Sequence, residues 1–228
     1  IRSSGMLPHG TVGRSRFQEL ALEAEAFVAE IAPFVREKAA SPLEVHLDLH
    51  GFRVTGRLED LYADGLVFQR FASIKPKDRL NAWLRHLVLC CMKPTSPPYP
   101  KTVLMGLDAR KASRGGHAAF RYTAPTEPSK RLLELLEFYW EGLILPLLFL
   151  PASSWAYAES ILKKGLAPEA ALGQARRHWD GNERNPGEST DPYMELCFRN
   201  RDPLGEKRFQ DLALAVFGPL LAHEETMA

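Results

Sequence analysis

The spacing of hydrophobic side chains changes along the chain from a helical period to a strand-like period. Apolar positions three and four apart predict a helix over residues 16–35, in which Pro33 either ends the helix early or lies in a kink. From residue 43 apolar and polar side chains alternate, and the alternation resumes after His50-Gly51. This pattern predicts two strands joined by a tight turn, and residues 66–71 predict a third strand.

The next segment has the most regular helical pattern in the chain. Its apolar positions recur at intervals of three and four residues over more than ten residues, and Asp78 and Arg79 stand at its start. The positions that define this face are Leu80, Trp83, Leu84, Leu87, Val88 and Cys91.

Two further strands and then several helices follow a proline-rich loop. The strands are predicted over residues 102–107 and 118–122, on either side of a basic, glycine-containing tip. Ser129 is the expected N-cap of the helix that comes next. Later helices are predicted over residues 155–164, 168–179, 192–199 and 207–221.

The order of these elements predicts an α+β protein with a mixed, mostly antiparallel sheet flanked by helices. We divide the chain into an N-terminal loop segment over residues 1–16, an α/β core over residues 17–150, and a helical part over residues 151–228 that packs on the core. Because the first residue is Ile1 rather than Met, we expect the chain to be an excised piece of a longer protein.

Composition and charge exclude several classes of protein. The 228 residues are 45% hydrophobic and 25% charged, which argues against a disordered or membrane-embedded chain. The 29 Lys and Arg residues against 28 Asp and Glu residues give a formal net charge of +1. The chain is therefore not a strongly basic nucleic-acid-binding domain, and any contact with DNA must come from local clusters or from partners.

Motifs for metals, cofactors and covalent catalysis are missing from the sequence. Of the three cysteines, Cys90 and Cys91 are adjacent, and no pair has zinc-ligand spacing. We find no phosphate-binding loop, dinucleotide fingerprint or Gly-x-Ser-x-Gly elbow. The most apolar stretch, residues 143–150, is interrupted by Pro146 and is too short to span a bilayer. We predict no cofactor, no bound metal and no membrane insertion.

The order helix, three strands, helix, strand is that of the restriction-endonuclease-like nuclease core. Such nucleases need an acid on one strand, and a second acid with a lysine two residues later on the next strand, to hold a divalent metal and activate water. Glu59 stands at the first position, but Gln69 and Phe71 occupy the other two. An amide and a phenyl ring replace neither group, so a core of this kind would lack its active site.

Short motifs in a fixed order resemble one family over nearly the whole chain, from about Arg2 to His223. The motifs are Gly-Met-Leu-Pro-His-Gly at residues 5–10, Gly-Phe-Arg-Val-Thr-Gly-Arg-Leu at 51–58, Asp-Gly-Leu-Val at 64–67, Lys-Asp-Arg-Leu at 77–80, Trp-Leu-Arg-His-Leu at 83–87, Glu-Gly at 141–142 with Pro-Leu at 146–147, Trp-Ala-Tyr at 155–157, Gly-Glu at 187–188 with Asp-Pro-Tyr at 191–193, and Gly-Pro-Leu-Leu at 218–221. The family that they resemble is the C-terminal domain of the exodeoxyribonuclease V gamma chain (RecC).

This resemblance implies a non-catalytic part in a larger enzyme. The gamma chain is one subunit of a bacterial heterotrimer that unwinds and degrades DNA from double-strand breaks and prepares ends for recombination. In the family this domain resembles a nuclease without its active site, helps split the duplex, guides the separated strands and contacts the alpha subunit. ATP hydrolysis and DNA cleavage belong to the beta and alpha subunits. The implied partners are those two subunits and DNA, in the bacterial cytoplasm.

Three basic clusters are candidates for contact with DNA phosphates. The first precedes a helix whose N-terminal N–H groups would add to anion binding, and a solvated loop is its alternative. The second is the hairpin tip, for which a solvated loop is the alternative. The third lies beside Trp179, which either stacks on an unpaired base or packs inward. The candidate residues are Lys75, Lys77, Arg79, Arg110, Lys111, Arg114, Arg176 and Arg177.

Three functions therefore stay open. The first is a non-catalytic domain that guides DNA and docks other subunits. The second is a metal-dependent nuclease with an atypical acid set, namely Asp48, Glu59 and Asp60. The third is docking without any DNA contact. The apolar residues 143–150 are either core or a surface for another subunit.

Overall fold

Helices and strands alternate in the first half of the chain, and helices dominate the second half. The computed structural model describes residues 7–36, 39–63, 65–92, 100–108, 116–199 and 201–227. The elements are α1 (Gly10–Ile31), β1 (Leu43–Leu49), β2 (Phe52–Leu58), β3 (Leu61–Tyr62), β4 (Gly65–Ser73), α2 (Pro76–Met92), β5 (Thr102–Leu107), β6 (His117–Tyr122), α3 (Pro128–Ile144), α4 (Pro151–Leu162), α5 (Pro168–Asp180), α6 (Pro192–Phe198), α7 (Lys207–His223) and β7 (Glu224–Met227). The predicted α+β class is confirmed. Within the described ranges, no helix has the length and apolar character needed to cross a bilayer.

Five strands form the main sheet in the order β3-β4-β5-β6-β7, and β1 and β2 form a separate two-stranded sheet. β4 and β5 are parallel, and α2 connects them, because a parallel pair needs a crossover rather than a hairpin. The other pairings of the described strands are antiparallel, which confirms a mixed, mostly antiparallel arrangement. The first hairpin stands outside the main sheet, which the sequence pattern does not reveal.

The turn between β1 and β2 has the geometry that its residues predict. His50 and Gly51 have φ angles of 44° and 91°. Leu49 pairs with Phe52, so the loop has two residues, and positive φ at both matches the twist of the flanking strands. The alternation then places Val45 and Leu49 in the core. The predicted pair of strands with a tight turn is confirmed.

Both faces of the main sheet are packed. On one face, Phe27 and Ile31 of α1 cluster with Val103 and Met105 of β5. The other face packs on a core to which the sheet, the first hairpin and helices α2, α3, α4 and α7 contribute. The buried members of that core are Leu49, Ala82, Trp83, Leu87, Leu104, Tyr122, Leu132, Ala158, Phe217, Leu220 and Leu221. Because this core joins residues on both sides of position 150, the helical part packs directly on the sheet. A second core lies among the C-terminal helices.

Helix α1 begins before its predicted start, and it ends early, before Pro33, which is one of the two outcomes expected there. It begins at Gly10, so the N-terminal loop predicted over residues 1–16 is wrong from that residue onward. The hydrophobic pattern misses these first turns because nearly all of their side chains are exposed. The helix ends at Ile31 rather than residue 35, because Pro33 lacks an N–H group and its ring clashes with the preceding turn.

Other boundaries also differ from the predicted ones. Ser129 is not the N-cap of α3, which begins at Pro128, a residue whose fixed φ suits the first helical position. The hydroxyl of Ser129 instead lies 3.6 Å from the Cys91 Sγ. α4 begins at Pro151, earlier than predicted. The strands β3 and β7 were not predicted, because β3 has two residues and the sequence of β7, Glu-Glu-Thr-Met, shows no apolar alternation.

An ion pair within the protein fixes β7 to the rest of the fold. Arg79 of α2 pairs with Glu224, and their side chains are only 15% and 7% exposed. The central carbon of the guanidinium lies 3.8 Å from the ring centre of Phe120 and 4.7 Å from that of Trp155. The hydroxyl of Tyr122 donates to Glu224 at 2.9 Å, and burial raises the pKa of Tyr122, so this donor keeps its proton.

A buried histidine on the same helix is held neutral. His86 is fully buried, and its Nε2 lies 3.2 Å from the carbonyl oxygen of Thr123, which only accepts. Nδ1 therefore accepts from the Thr102 hydroxyl, at 3.0 Å. Burial, with a smaller contribution from His223, lowers the pKa of His86 from 6.5 to about 4.

This lowered pKa predicts a loss of stability in acid. The unfolded chain binds a proton at this histidine near pH 6.5, whereas the folded protein binds it only near pH 4. The contribution is complete above pH 6.5, and we expect about 3 kcal/mol of the free energy of unfolding to be lost as the pH falls to 4. Urea unfolding between pH 7.5 and 4 measures it. His86→Gln should have a flatter pH dependence than the wild type, whereas the exposed control His46→Gln should not. Equal slopes for His86→Gln and the wild type would contradict this assignment.

The pair of Arg79 and Glu224 predicts a large effect of removing one partner. Glu224→Ala leaves a buried guanidinium and the Tyr122 hydroxyl without their acceptor, so we expect the free energy of unfolding to fall by about 3–5 kcal/mol. The matched control is Glu44→Ala, which breaks an exposed pair with Arg57 and should cost under about 1 kcal/mol. Urea unfolding at pH 7 compares the two variants. Similar losses would mean that the buried pair has no special role.

Candidate functional site

The nuclease-type positions on β4 lie on the face of the sheet that α1 covers. The ring centre of Phe71 is 5.5 Å from that of Phe27 on α1, and Phe71 is 45% exposed. Gln69 is two residues earlier and therefore on the same face, in register with Met105 of β5. The two positions at which the expected nuclease-type core would carry a carboxylate and a lysine thus hold an exposed amide and an aromatic ring.

The acidic residues of the first hairpin and of the segment after it do not gather into a metal site. Glu59 is exposed and follows β2, and the next residue, Asp60, has a φ of 57° and accepts from the Val67 N–H through its carbonyl oxygen at 3.0 Å. Asp48 lies 3.4 Å from Arg53 on the neighbouring strand. No group of three or more His, Cys, Asp or Glu side chains that could hold a metal ion occurs among the described residues.

A thiol and an imidazole lie close together in the core, but their electrostatics are wrong for a nucleophile. The Cys90 Sγ is 3.5 Å from the His86 Nε2. Burial raises the pKa of Cys90 to about 12 and lowers that of His86 to about 4. A reactive cysteine needs the opposite shifts, which favour a thiolate beside an imidazolium. This pair is therefore a packing contact.

The N-terminus of α2 already holds a carboxylate, which corrects the expected anion site there. Asp78 accepts from the backbone N–H of Lys75 at 2.8 Å, as the third residue of a capped helix does. Arg70 donates to both oxygens of Asp78, at 2.6 and 2.7 Å. The helix N–H groups and dipole therefore act on this internal carboxylate rather than on an external phosphate.

The three basic residues of this segment face different environments. Arg79 points inward to Glu224, so it does not present its charge to a ligand. Lys75 and Lys77 are exposed, and neither makes an ion pair within the described part of the chain. Two of the three predicted cations are therefore at the surface.

The cations at the end of α5 also divide into a paired and a free residue. Arg176 donates to Asp202 at 2.6 Å, and this hydrogen bond holds the pKa of that carboxyl below its ordinary value. Arg177 is exposed, and it has no ion-pair partner among the residues that the structure describes. Trp179 packs on Phe198, with ring centres 6.3 Å apart, so the inward orientation is the one of its two expected orientations that the structure shows. Arg110, Lys111 and Arg114 lie outside the described residues.

The described surface has a concentration of large apolar side chains on α3 and α6, which we call the α3–α6 patch. Its members are 58–77% exposed, and they make up seven of the twelve large hydrophobic residues exposed in the described part of the chain. Within the apolar stretch 143–150, the first three residues belong to this patch, whereas Leu148 and Leu150 are buried. The patch consists of Tyr139, Trp140, Leu143, Ile144, Leu145, Tyr193 and Leu196.

An apolar groove runs beside this patch. A cavity of about 470 Å³ between α2, α3 and α7 is lined almost entirely by leucine, valine and aromatic side chains. It shares Tyr139, Leu147 and Phe149 with a second cavity of about 330 Å³ between α3 and α6. The hydrophobic periodicity of the sequence predicts that α3 has an apolar face. It does not predict that part of this face is left uncovered by other helices or strands. The sequence pattern does not distinguish Tyr193 and Leu196 as surface residues, because apolar residues occur on all sides of the short helix α6.

Comparison with known proteins places these features in one family. The family model described as the RecC C-terminal domain matches residues 1–162. RecBCD enzyme subunit RecC of Buchnera aphidicola subsp. Schizaphis graminum (strain Sg) is 25% identical over 234 residues, which cover 97% of this chain and 20% of that protein. RecBCD enzyme subunit RecC of Escherichia coli (strain K12) is 26% identical over 215 residues, which cover 89% of this chain and 18% of that protein. The chain thus spans about a fifth of the length of these relatives, and it belongs to the RecC C-terminal domain family.

Proposed function

We propose that this chain is the non-catalytic C-terminal domain of an exodeoxyribonuclease V gamma subunit. In this role it helps guide or split DNA and docks the other subunits of the helicase-nuclease that processes double-strand breaks for recombinational repair. Its partners are the beta and alpha subunits (RecB and RecD) and DNA, and its location is the bacterial cytoplasm. Membership of the RecC family supports the subunit role.

The observation that carries the non-catalytic role is the chemistry of β4. A restriction-endonuclease-like core would use this strand for its second acid and its lysine, and Gln69 and Phe71 stand there. An amide coordinates a divalent cation far more weakly than a carboxylate, and a phenyl ring cannot stabilise a phosphorane-like charge. The parallel pair of β4 and β5 with α2 between them is consistent with such a core. We propose that this core has become a scaffold.

DNA contact is assigned to the cations that the protein does not use internally. Lys75, Lys77 and Arg177 are exposed and without ion pairs within the described residues, so each can approach a phosphate. Arg79 and Arg176 are excluded from this set by their pairs with Glu224 and Asp202. Arg110, Lys111 and Arg114 of the hairpin tip remain predicted contacts. With a net charge of +1, the isolated chain should bind DNA weakly, and its salt dependence should reflect few phosphate contacts.

The non-catalytic role predicts that the purified chain does not cleave DNA. Linear duplex and single-stranded DNA should stay intact with Mg²⁺ or Mn²⁺, because the described residues bring no metal-binding group together. Gel electrophoresis of end-labelled DNA measures this. Cleavage that Glu59→Ala abolishes would contradict the proposal and would favour the alternative acid set with Asp48 and Asp60.

The DNA role predicts a specific salt dependence. Each lysine that contacts a phosphate contributes about one to the slope of log affinity against log salt. The double variant Lys75→Gln, Lys77→Gln should therefore reduce that slope by about two, as measured by fluorescence anisotropy with a labelled duplex. Lys163→Gln removes an exposed cation elsewhere and serves as the control. An unchanged slope in the double variant would show that these lysines do not contact DNA. If the wild type does not bind DNA at all, docking to other subunits is the function that remains.

A further inference from the structure

We infer that Phe71 is a stacking platform for one unpaired base of a single DNA strand, with the Gln69 amide at the edge of that base. This inference rests on the proposed function, because it names the residue by which the domain would distinguish a separated strand from a duplex. The two residues that stand in place of the expected nuclease acid and lysine then have a role of their own.

The ring of Phe71 is exposed and is held in place from behind. Among the large hydrophobic residues exposed in the described part of the chain, Phe71 is the one that lies on a strand, and it is 45% exposed. Its ring centre is 5.5 Å from that of Phe27, at an interplanar angle of 53°. Phe27 is buried and also contacts His117, with ring centres 5.4 Å apart. The ring of Phe71 is therefore ordered before a ligand binds, which lowers the entropic cost of stacking.

An amide lies beside this ring on the same face of the sheet. Gln69 is two residues before Phe71 on β4, so their Cα atoms are about 7 Å apart and both side chains project from one face. Gln69 is exposed, and its amide can both donate and accept a hydrogen bond. Proteins recognise unpaired bases with this combination, in which an aromatic ring stacks on the base and a polar side chain binds its edge.

The cations that would bind the phosphates of such a strand follow β4 directly. Lys75 is four residues after Phe71, so their Cα atoms are at most about 14 Å apart, and Lys77 is two residues further along the chain. Both lysines are exposed, and neither has an ion pair within the residues that the structure describes. Arg70 takes no part, because it projects from the opposite face of β4 and pairs with Asp78. A single strand of a few nucleotides spans the distance from the ring to the lysines.

Two carboxylates in this region favour a base over a duplex backbone as the ligand of the ring. Glu23 is half-buried on α1, one turn before Phe27, and Asp108 directly follows β5 at the end of the sheet where β4 also ends. These groups would repel the phosphates of a duplex laid across Phe71, whereas a base is uncharged. A duplex also stacks its bases internally, so it offers no free base to the ring. A protein partner fits less well, because Phe71 is a single exposed ring beside polar groups rather than part of a contiguous apolar patch.

Photo-cross-linking in the assembled three-subunit enzyme tests the stacking directly. A forked duplex carries 5-iodouracil at one position of a single-stranded tail, and on irradiation this base cross-links to an aromatic ring that stacks on it. Mass spectrometry identifies the linked residue for each tail position in turn. We expect one tail to cross-link to Phe71, and 5-iodouracil inside the duplex not to do so. Absence of a Phe71 cross-link from every tail position would overturn the inference, whether or not the exposed rings of the α3–α6 patch react.

The affinity of the full 228-residue chain for DNA gives an independent readout. Phe71→Leu keeps an apolar contact with Phe27 but removes the aromatic face, so it should raise the Kd for single-stranded DNA at least about fivefold. The Kd for duplex DNA should change less than about twofold, which also shows that the variant is folded. Phe71→Trp should restore single-strand binding, and Gln69→Ala should weaken it without affecting the duplex. Tyr139→Leu removes an exposed ring of the α3–α6 patch and should change neither Kd.

The outcomes separate the stacking role from the proposed contact with DNA. If Phe71→Leu leaves single-strand binding unchanged while Lys75→Gln with Lys77→Gln weakens it, Phe71 is not a stacking platform and the proposed DNA contact stands. Equal losses of single-strand and duplex binding in Phe71→Leu would also overturn the stacking role. If the wild-type chain binds neither form of DNA and no tail cross-links to it in the assembled enzyme, the stacking role and the proposed DNA contact are both wrong.

Discussion

The buried pair of Arg79 and Glu224 is the interaction on which the rest of the structure depends. It joins the start of α2 to β7, and its guanidinium lies against Phe120 of β6 and Trp155 of α4. The sheet, the helix that crosses between its parallel strands and the helical part of the chain therefore meet at one charged group. A buried ion is tolerated only when its partners are in place, so this group makes the folding of each part depend on the others.

The ion pairs at the start of α2 also determine which charged side chains remain available to bind a ligand. Arg79 and Asp78 both lie at the start of α2, and both are used within the protein, one by Glu224 and the other by Arg70. Two neighbouring lysines remain at the surface. The α3–α6 patch is a different part of the described surface, and its members are large, exposed apolar side chains. The domain thus separates a basic region suited to phosphate from an apolar region suited to protein, as the proposed docking and guiding roles require.

Local patterns predicted the elements whose stabilising contacts are local. The alternation around His50-Gly51 predicted the first hairpin because turn geometry and strand register are set by adjacent residues. The environment of Arg79 could not be predicted in this way, because Glu224 is 145 residues away and β7 has no apolar pattern of its own. Periodicity also cannot separate Leu132 from Leu143, which lie on the same face of α3 although one is buried and the other exposed. Which part of an apolar face is covered depends on distant helices.

We expect the buried ion pair to join the sheet and the C-terminal helical part into one cooperative unit. Native-state hydrogen exchange of the purified chain tests it most directly, because it measures the free energy of opening at each amide. We predict that amides of β5, α7 and β7, such as those of Leu104, Phe217 and Thr226, open with free energies within about 1 kcal/mol of one another. If α7 and β7 instead open at a much lower free energy while β5 stays protected, the two parts unfold independently and the ion pair does not couple them.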